Sequence, residues 1–223
     1  DSKQKVKIMK NGPYLVTGGI PLFEKTIIPK GNGYVFSDIK KYETKDTYTL
    51  CRCGKSKNPP YCDGSHVKEG FDGTESATND RYIDRADIIE GPELDLYDDQ
   101  RCALAKFCHR EAGDAWELTE ESDIKKNKEE AIIAAIECPA GRLTAREKDS
   151  SFIEPEHDPA IDILQGPLDG ISGGISVKGY VSLESSTGEN YELRNRYVLC
   201  RCGNSSNKPF CDASHVVCEY KDK

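Results

Sequence analysis

The chain has 223 residues, 36% of them hydrophobic and 31% charged, with six Phe and one Trp. That is enough apolar material for modest cores in two or three small units. A formal charge of -8 leaves no clustered Lys and Arg face of the kind phosphate backbones require, so nucleic acid is excluded as an expected partner. No apolar run approaches the roughly 18 residues that cross a bilayer, and the opening DSKQKVKIMKNGP lacks the apolar core of a signal peptide. The expectation is a soluble, cytoplasmic protein with no membrane partner.

Ten cysteines sort into three groups: Cys51, Cys53 and Cys62; Cys102, Cys108 and Cys138; and Cys200, Cys202 and Cys211, with Cys218 left over. In a reducing compartment that many thiols point to metal or redox chemistry rather than to a disulfide scaffold. From the N-terminus, apolar and polar residues alternate over 14–22, the pattern of a half-buried strand. The segment TYTLCRCGKSKNPPYCDGSH follows at 47–66. Its three thiols and one imidazole fall within 16 residues, a soft four-donor set suited to zinc or to an iron-sulfur cluster and unsuited to calcium or magnesium. Zinc sites usually space their thiols more widely than Cys-x-Cys, which tilts the choice towards a cluster without settling it. Pro60 is placed to turn the chain back so that Cys62 returns to the pair, Asp63 to cap a short helix carrying His66, and Gly54 to allow close backbone approach.

The next segment changes texture. Residues 70–80 read as loop, 101–109 as one or two helical turns, and 114–118 as a short strand. Asn127 followed by Glu130 is a capping pattern that predicts a helix over 128–137, with Ile132, Ile133 and Ile136 as its apolar face and Pro139 as its stop. The acidic runs 95–99 and 117–123 read as solvated faces, or as a docking patch for a basic redox partner. His109 reads as a surface residue or as one that supports the neighbouring thiols from behind, His157 as linker and Cys218 as a spare thiol. Glycines at 170–174 read as a turn before a strand from Ile175, and the apolar run ending at Leu199 leads into RYVLCRCGNSSNKPFCDASH at 196–215. That second segment repeats the first at an offset of 149 residues, with Pro209, Asp212, Gly203 and His215 at matching positions.

The spacing C-x-C-x2-S-x3-P-x-C-D-G-S-H resembles the signature of the CDGSH iron-sulfur family. Residues 51–66 match it throughout, and 200–215 depart only at Ala213, which is strained there if its φ is positive. The resemblance implies two [2Fe-2S] clusters: in one, Cys51 and Cys53 hold one iron and Cys62 and His66 the other; in the second, Cys200, Cys202, Cys211 and His215 repeat the set. It also implies an intramolecular pair of motifs, hence a monomer. Cys102-x5-Cys108 with a remote Cys138-Pro139 resembles divergent single-cluster ferredoxin domains, with Ala105 where a further Cys would fall. These three thiols either hold a [3Fe-4S] or [4Fe-4S] cluster or are buried as small apolar side chains.

The expected fold is α+β and β-rich. Two small β units with cysteine-bearing cluster loops form a pseudo-twofold pair around a small α+β ferredoxin-like middle domain, with boundaries at 1–75, 76–165 and 166–223. No phosphate loop, nucleophile elbow or zinc-protease helix appears, so an electron carrier is expected before an enzyme. Because a His ligand keeps a second ring nitrogen, the expected electron transfer is proton-coupled, towards redox partner proteins. Cluster storage and transfer to an acceptor protein is the alternative, and a zinc-stabilised interaction module is the third.

Overall fold

The structure is a computed structural model and describes residues 4–168 and 170–222; residues 1–3, 169 and 223, which the sequence assigns to the end domains and the 170-side turn, lie outside the described residues. Strands dominate. β1 (Lys5–Ile8), β2 (Tyr14–Thr17), a long hairpin of β3 (Leu22–Lys30) and β4 (Gly33–Tyr42), and β5 (Thr47–Leu50) lead to the first cysteine loop and a one-turn helix α1 (Ser65–Lys68). The middle segment holds α2 (Tyr82–Arg85), β6 (Asp87–Glu90), β7 (Leu94–Asp98), β8 (His109–Arg110), β9 (Gly113–Asp114), α3 (Ala115–Glu120), α4 (Lys125–Glu137), β10 (Leu143–Glu147) and β11 (Phe152–Ile153). The chain closes with β12 (Ala160–Gln165), β13 (Ser172–Lys178), β14 (Ser182–Glu184), β15 (Arg196–Leu199) and, after the second cysteine loop, α5 (Ser214–Val217). Among the described residues no helix is long and apolar enough to cross a membrane.

The two ends of the chain share their sheets instead of building one each. One sheet runs β14-β1-β2-β5 and the other β15-β13-β12-β3-β4. The joins between the halves are parallel: Val6 faces Leu183 in one, and Ile161 to Gln165 run beside Leu22 to Thr26 in the other. Parallel neighbours need a long crossover, and the middle segment supplies it for β3 and β12. Residues of β12 fall in the middle segment by sequence, yet they form the centre of this sheet. Both sheets turn alternate residues inward, so Val6, Ile8, Tyr14 and Val16 meet Ile161, Ile163, Ile175, Val177 and Leu199 in one core.

The middle segment has its own core. A β11-β10-β7-β6 antiparallel sheet is covered by α3 and α4, with Leu94, Leu96, Leu118, Ala131, Ala134, Ala135 and Leu143 between them. Several local expectations are corrected here. Residues 115–118 are helical and Asp114 is their extended N-cap, because Asp114 accepts from the Trp116 and Glu117 backbone N–H groups and Glu117 reaches back to the Asp114 N–H, a complete capping box. The predicted 128–137 helix starts at Lys125, with Ile124 at its N-cap, and Asn127 donates to Glu121 instead of capping. Its buried face is Ala131, Ala134 and Ala135, where small residues let it lie close on α3 and the sheet, and the three isoleucines are only half-buried. Residues 101–108 are irregular, with Leu104 and Lys106 at positive φ. The acidic run 95–99 is no solvated face. Asp95 and Asp98 are buried on β7 and paired with Arg146, Lys148 and Arg142. Gly173 and Gly174 lie in β13, where a Cβ on Gly174 would come within 2.5 Å of Val198 Cγ1.

Candidate metal centre

Each cysteine loop is held by the same small set of bonds. After β5, Leu50 bridges to Tyr61, the Cys51 N–H donates to Pro60 O (2.8 Å) and the Cys62 N–H to Thr49 O (3.1 Å). The third cysteine thereby returns beside the first. In the second loop Leu199 bridges to Phe210, Cys200 N–H donates to Pro209 O (2.8 Å) and Cys211 N–H to Val198 O (2.9 Å). The serine of the spacing pins the turn: Ser56 Oγ donates to Tyr61 O (2.6 Å) and Ser205 Oγ to Phe210 O (2.7 Å). Asp63 accepts from the Lys57 and Ser65 N–H groups, and Asp212 from those of Ser206 and Ser214. The aspartates thus close the loop and hold the first helical N–H, one residue before the N-cap positions Gly64 and Ala213. Ala213 takes a φ of 67°, the strained conformation that glycine takes in the first loop.

The donors stand in pairs. Cys51 Sγ is 3.8 Å from Cys53 Sγ and Cys62 Sγ is 3.5 Å from His66 Nδ1; in the second loop the separations are 3.6 Å for Cys200 and Cys202 and 3.5 Å for Cys211 and His215. Among the described residues no three His, Cys, Asp or Glu side chains are grouped so that they could hold one metal ion. Two soft pairs side by side are the donor arrangement of a two-iron cluster. Burial pushes the Cys53 thiol up to about 11 and raises Cys62 and Cys211 as well. Within the Cys200–Cys202 pair the hydrogen bond between the thiols lowers Cys200 and raises Cys202. The raised thiols, Cys53, Cys62, Cys202 and Cys211, resist ionising alone and lose their protons when a cationic centre binds them. The two loops differ in exposure. His215 is 2% exposed and its Nε2 has no partner, whereas His66 is half-buried. Burial, reinforced by Arg201, lowers His215 to about 4.

Sequence reading passed over the residue inside each Cys-x-Cys. Arg52 is buried beneath its loop and donates to the carbonyls of Gly12 (2.8 Å), Gly73 (2.8 Å) and Met9 (3.2 Å). Arg201 donates to Gly173 O (2.7 Å) and Leu164 O (3.0 Å) and pairs with Asp222. The same arginine at the same place in both copies was the available signal. The loops also touch each other: Gly54 sits against Cys202 O and Gly203 against Cys53 O, so close that a Cβ would lie 2.5 and 2.6 Å from those oxygens. Tyr14, from β2, donates its hydroxyl to Cys200 O at 2.6 Å.

Cys102, Cys108 and Cys138 come together around a cavity of about 30 Å³, with Trp116, Phe107, Pro139 and Arg142 on its walls. Burial pushes Cys108 up to about 12, with the neighbouring Cys138 and Cys102 adding to the effect. Burial raises Cys138 too, against the opposing pull of Arg196 and of the Leu143, Ala140 and Arg142 N–H groups, while the Leu104 N–H donates to Cys102 Sγ (3.3 Å). Ala105, where the ferredoxin-like pattern has a cysteine, is buried and 6% exposed. His109 is exposed on β8 and Cys218 is exposed after α5. Neither joins a donor set.

Comparison with known proteins follows the same division. Residues 11–67 and 172–216 match the family described as iron-binding zinc finger, CDGSH type, and residues 89–148 match the divergent 4Fe-4S mono-cluster family. The chain is similar to a CDGSH iron-sulfur domain-containing protein 2 homolog of Drosophila virilis, 38% identical over 53 residues, which covers 19% of this chain and 40% of that relative. No solved structure matches the chain.

Proposed function

Two CDGSH-type iron-binding domains flank a divergent 4Fe-4S-type domain in this chain, and on that basis we propose that it is an iron-sulfur electron carrier with a [2Fe-2S] cluster in each end loop. The observation that carries the reading is the paired donors, 3.8 and 3.5 Å apart in one loop and 3.6 and 3.5 Å in the other. Cys51 with Cys53 and Cys62 with His66 hold one iron each, and Cys200 with Cys202 and Cys211 with His215 repeat the arrangement. A cluster so held supplies one-electron chemistry at a potential that imidazole sets above the all-thiolate case. The protein's part is to exclude water from the buried thiols, to brace the loop through Arg52 or Arg201, and to keep the free ring nitrogen of each histidine as a proton site, which couples electron to proton uptake. Reciprocal contact of Gly54 and Gly203 supports a pseudo-twofold pair within a monomer, and the pairing of β12 with β3 and β13 supports a middle domain that ends before Ala160 instead of at 165. Three thiols around one small cavity support a third cluster, [3Fe-4S] or [4Fe-4S], at Cys102, Cys108 and Cys138. The partners are redox proteins of a reducing, cytoplasmic compartment, and the protein itself is not an enzyme.

Cluster transfer is a second reading, favoured by one observation. His66 and Cys62 are only half-buried where His215 and Cys211 are buried, so the N-terminal loop is the one suited to release. Iron, acid-labile sulfide and zinc counted per chain on anaerobically purified protein, with the visible and electron paramagnetic resonance spectra, test both. Iron with matching sulfide and reversible one-electron reduction is the expected result. Loss of one cluster to an apo acceptor, slowed by His66→Cys, supports transfer. Colourless protein with stoichiometric zinc overturns both.

A further inference from the structure

Among the described residues the middle loop packs on the C-terminal cysteine loop, whereas it meets the N-terminal half through Ile27, Tyr34 and Phe36 of the β3–β4 hairpin and not through its cysteine loop. Arg101 and Phe210 each directly precede a site cysteine, Cys102 and Cys211, and the Arg101 guanidinium lies 4.0 Å from the centre of the Phe210 ring. Just beyond, Ala103, Ala105 and Phe107 pack with Cys211 and Val198 in one buried cluster. The other edge of the middle site is tied down by β15, the strand that runs into Cys200. Arg196 Nη1 donates to Cys138 O (2.7 Å) and to Ala135 O (2.8 Å), Arg194 Nη2 donates to Gly141 O (3.0 Å), and a Cβ on Gly141 would come within 2.5 Å of Arg196 O. At an offset of 149 residues the N-terminal repeat has Lys45 and Thr47 in place of the two arginines, and Tyr61, whose ring packs on Tyr42 and Tyr48, in place of Phe210. That repeat reaches its counterpart through the backbone contact of Gly54 with Cys202 and of Gly203 with Cys53, and Tyr14 of the N-terminal half donates its hydroxyl to Cys200 O (2.6 Å).

We propose that the C-terminal loop is the junction of an internal electron relay, joined to the Cys102/Cys108/Cys138 site by the Arg101–Phe210 and Arg196–Cys138 contacts and to the Cys51–His66 site by the paired glycines. This rests on the reading that all three sites hold iron-sulfur clusters. With clusters held by these residues, one electron leaving the Cys102/Cys108/Cys138 site would be taken up at the Cys200–His215 site, and one leaving that site would be taken up at Cys51–His66, each oxidation matched by one reduction.

Magnetic coupling between centres in the anaerobic, iron-loaded full chain tests the order. His66→Cys and His215→Cys each shift the paramagnetic resonance of one end centre and so assign the two signals. In the reduced protein the C-terminal signal is expected to relax several-fold faster than it does after Cys102→Ser, while the N-terminal signal is unchanged by that substitution. Arg196→Met with Phe210→Leu, which leaves every thiol in place, is expected to weaken the same coupling at an unchanged iron count. Equal loss of relaxation at both end signals, or loss at the N-terminal one alone, overturns the junction. An iron count that Cys102→Ser does not lower shows an empty middle site and overturns the relay while leaving the two end clusters standing. A chain with zinc and no iron fails the underlying reading itself.

Discussion

Arg201→Met removes a cation buried between the second cysteine loop and the last residues of the chain. In the folded protein Arg201 and Asp222 are 1% and 3% exposed. Burial by itself raises the Asp222 carboxyl, but the Arg201 charge and hydrogen bonds from Arg201, Ser172 and Gln165 outweigh it and hold the group below its ordinary value. Removing one partner of such a pair strands a buried charge, which costs about 3–5 kcal/mol. For a chain of this size that is a fall of roughly 10 °C in Tm. Arg52→Met in the other loop orphans carbonyls of Gly12, Gly73 and Met9 but no carboxylate, and each orphaned acceptor costs about 1–3 kcal/mol. The two variants therefore separate by pH and by rescue. A carboxyl depressed in the folded state stabilises fully above its unfolded pKa, and that contribution is lost as pH falls through the folded value. Without Arg201 the buried Asp222 is raised instead and becomes neutral on mild acidification. The Arg201→Met penalty is thus greatest near neutrality and shrinks towards about pH 5, and adding Asp222→Asn recovers about half of it at neutral pH. Urea unfolding at both pH values, followed by far-ultraviolet circular dichroism, measures this. Equal, pH-independent penalties for the two arginines, with no rescue by Asp222→Asn, would refute the reasoning.

Gly54→Ala and Gly203→Ala each put a Cβ about 2.5 Å from a carbonyl of the opposite loop at positive φ; both are expected to destabilise by more than about 3 kcal/mol and to lower iron content, whereas Gly64→Ala, with open space around it, costs only the left-handed penalty of about 1–2 kcal/mol. Denaturation midpoints and iron counts on the three variants check the ranking. Ala213→Gly relieves the left-handed strain at φ 67°, so the melting temperature is expected to rise by an amount worth up to about 1 kcal/mol, with unchanged metal content. Cys218→Ser is expected to abolish fast alkylation of the loaded protein while leaving iron and sulfide unchanged, because Cys218 is exposed and outside every donor set.

The donor sets were legible in the chain because their chemistry is local. Cys-x-Cys, a returning Cys and a His four residues later must close within one loop, so their spacing carries the site, and it does so twice. The short strands with alternating burial were legible for the same reason, as was the helix stop at Pro139. Where a local signal was available and misread, as with Asp114 and Glu117, the capping box outweighed the strand-like residues between its ends. Burial of Asp95 and Asp98 was not legible, since alternation says which residues share a face and nothing about Arg142, Arg146 and Lys148 arriving from elsewhere to neutralise them.

What the sequence determined by itself, then, is which side chains can bind metal, in what order along each loop, and the division into two repeats around a different middle. The tertiary structure decided that β1 pairs with β14 and β3 with β12, that Gly54 and Gly203 bring the two loops into backbone contact, and that the middle site packs both on the C-terminal cysteine loop and on the β3–β4 hairpin. Those are pairings between residues more than fifty positions apart, set by which faces are left to bury once each local piece has formed. Arg194 and Arg196 show the difference plainly: in the chain they are two charges before a strand, and only the folded protein gives them the carbonyls of Gly141 and Cys138 to hold.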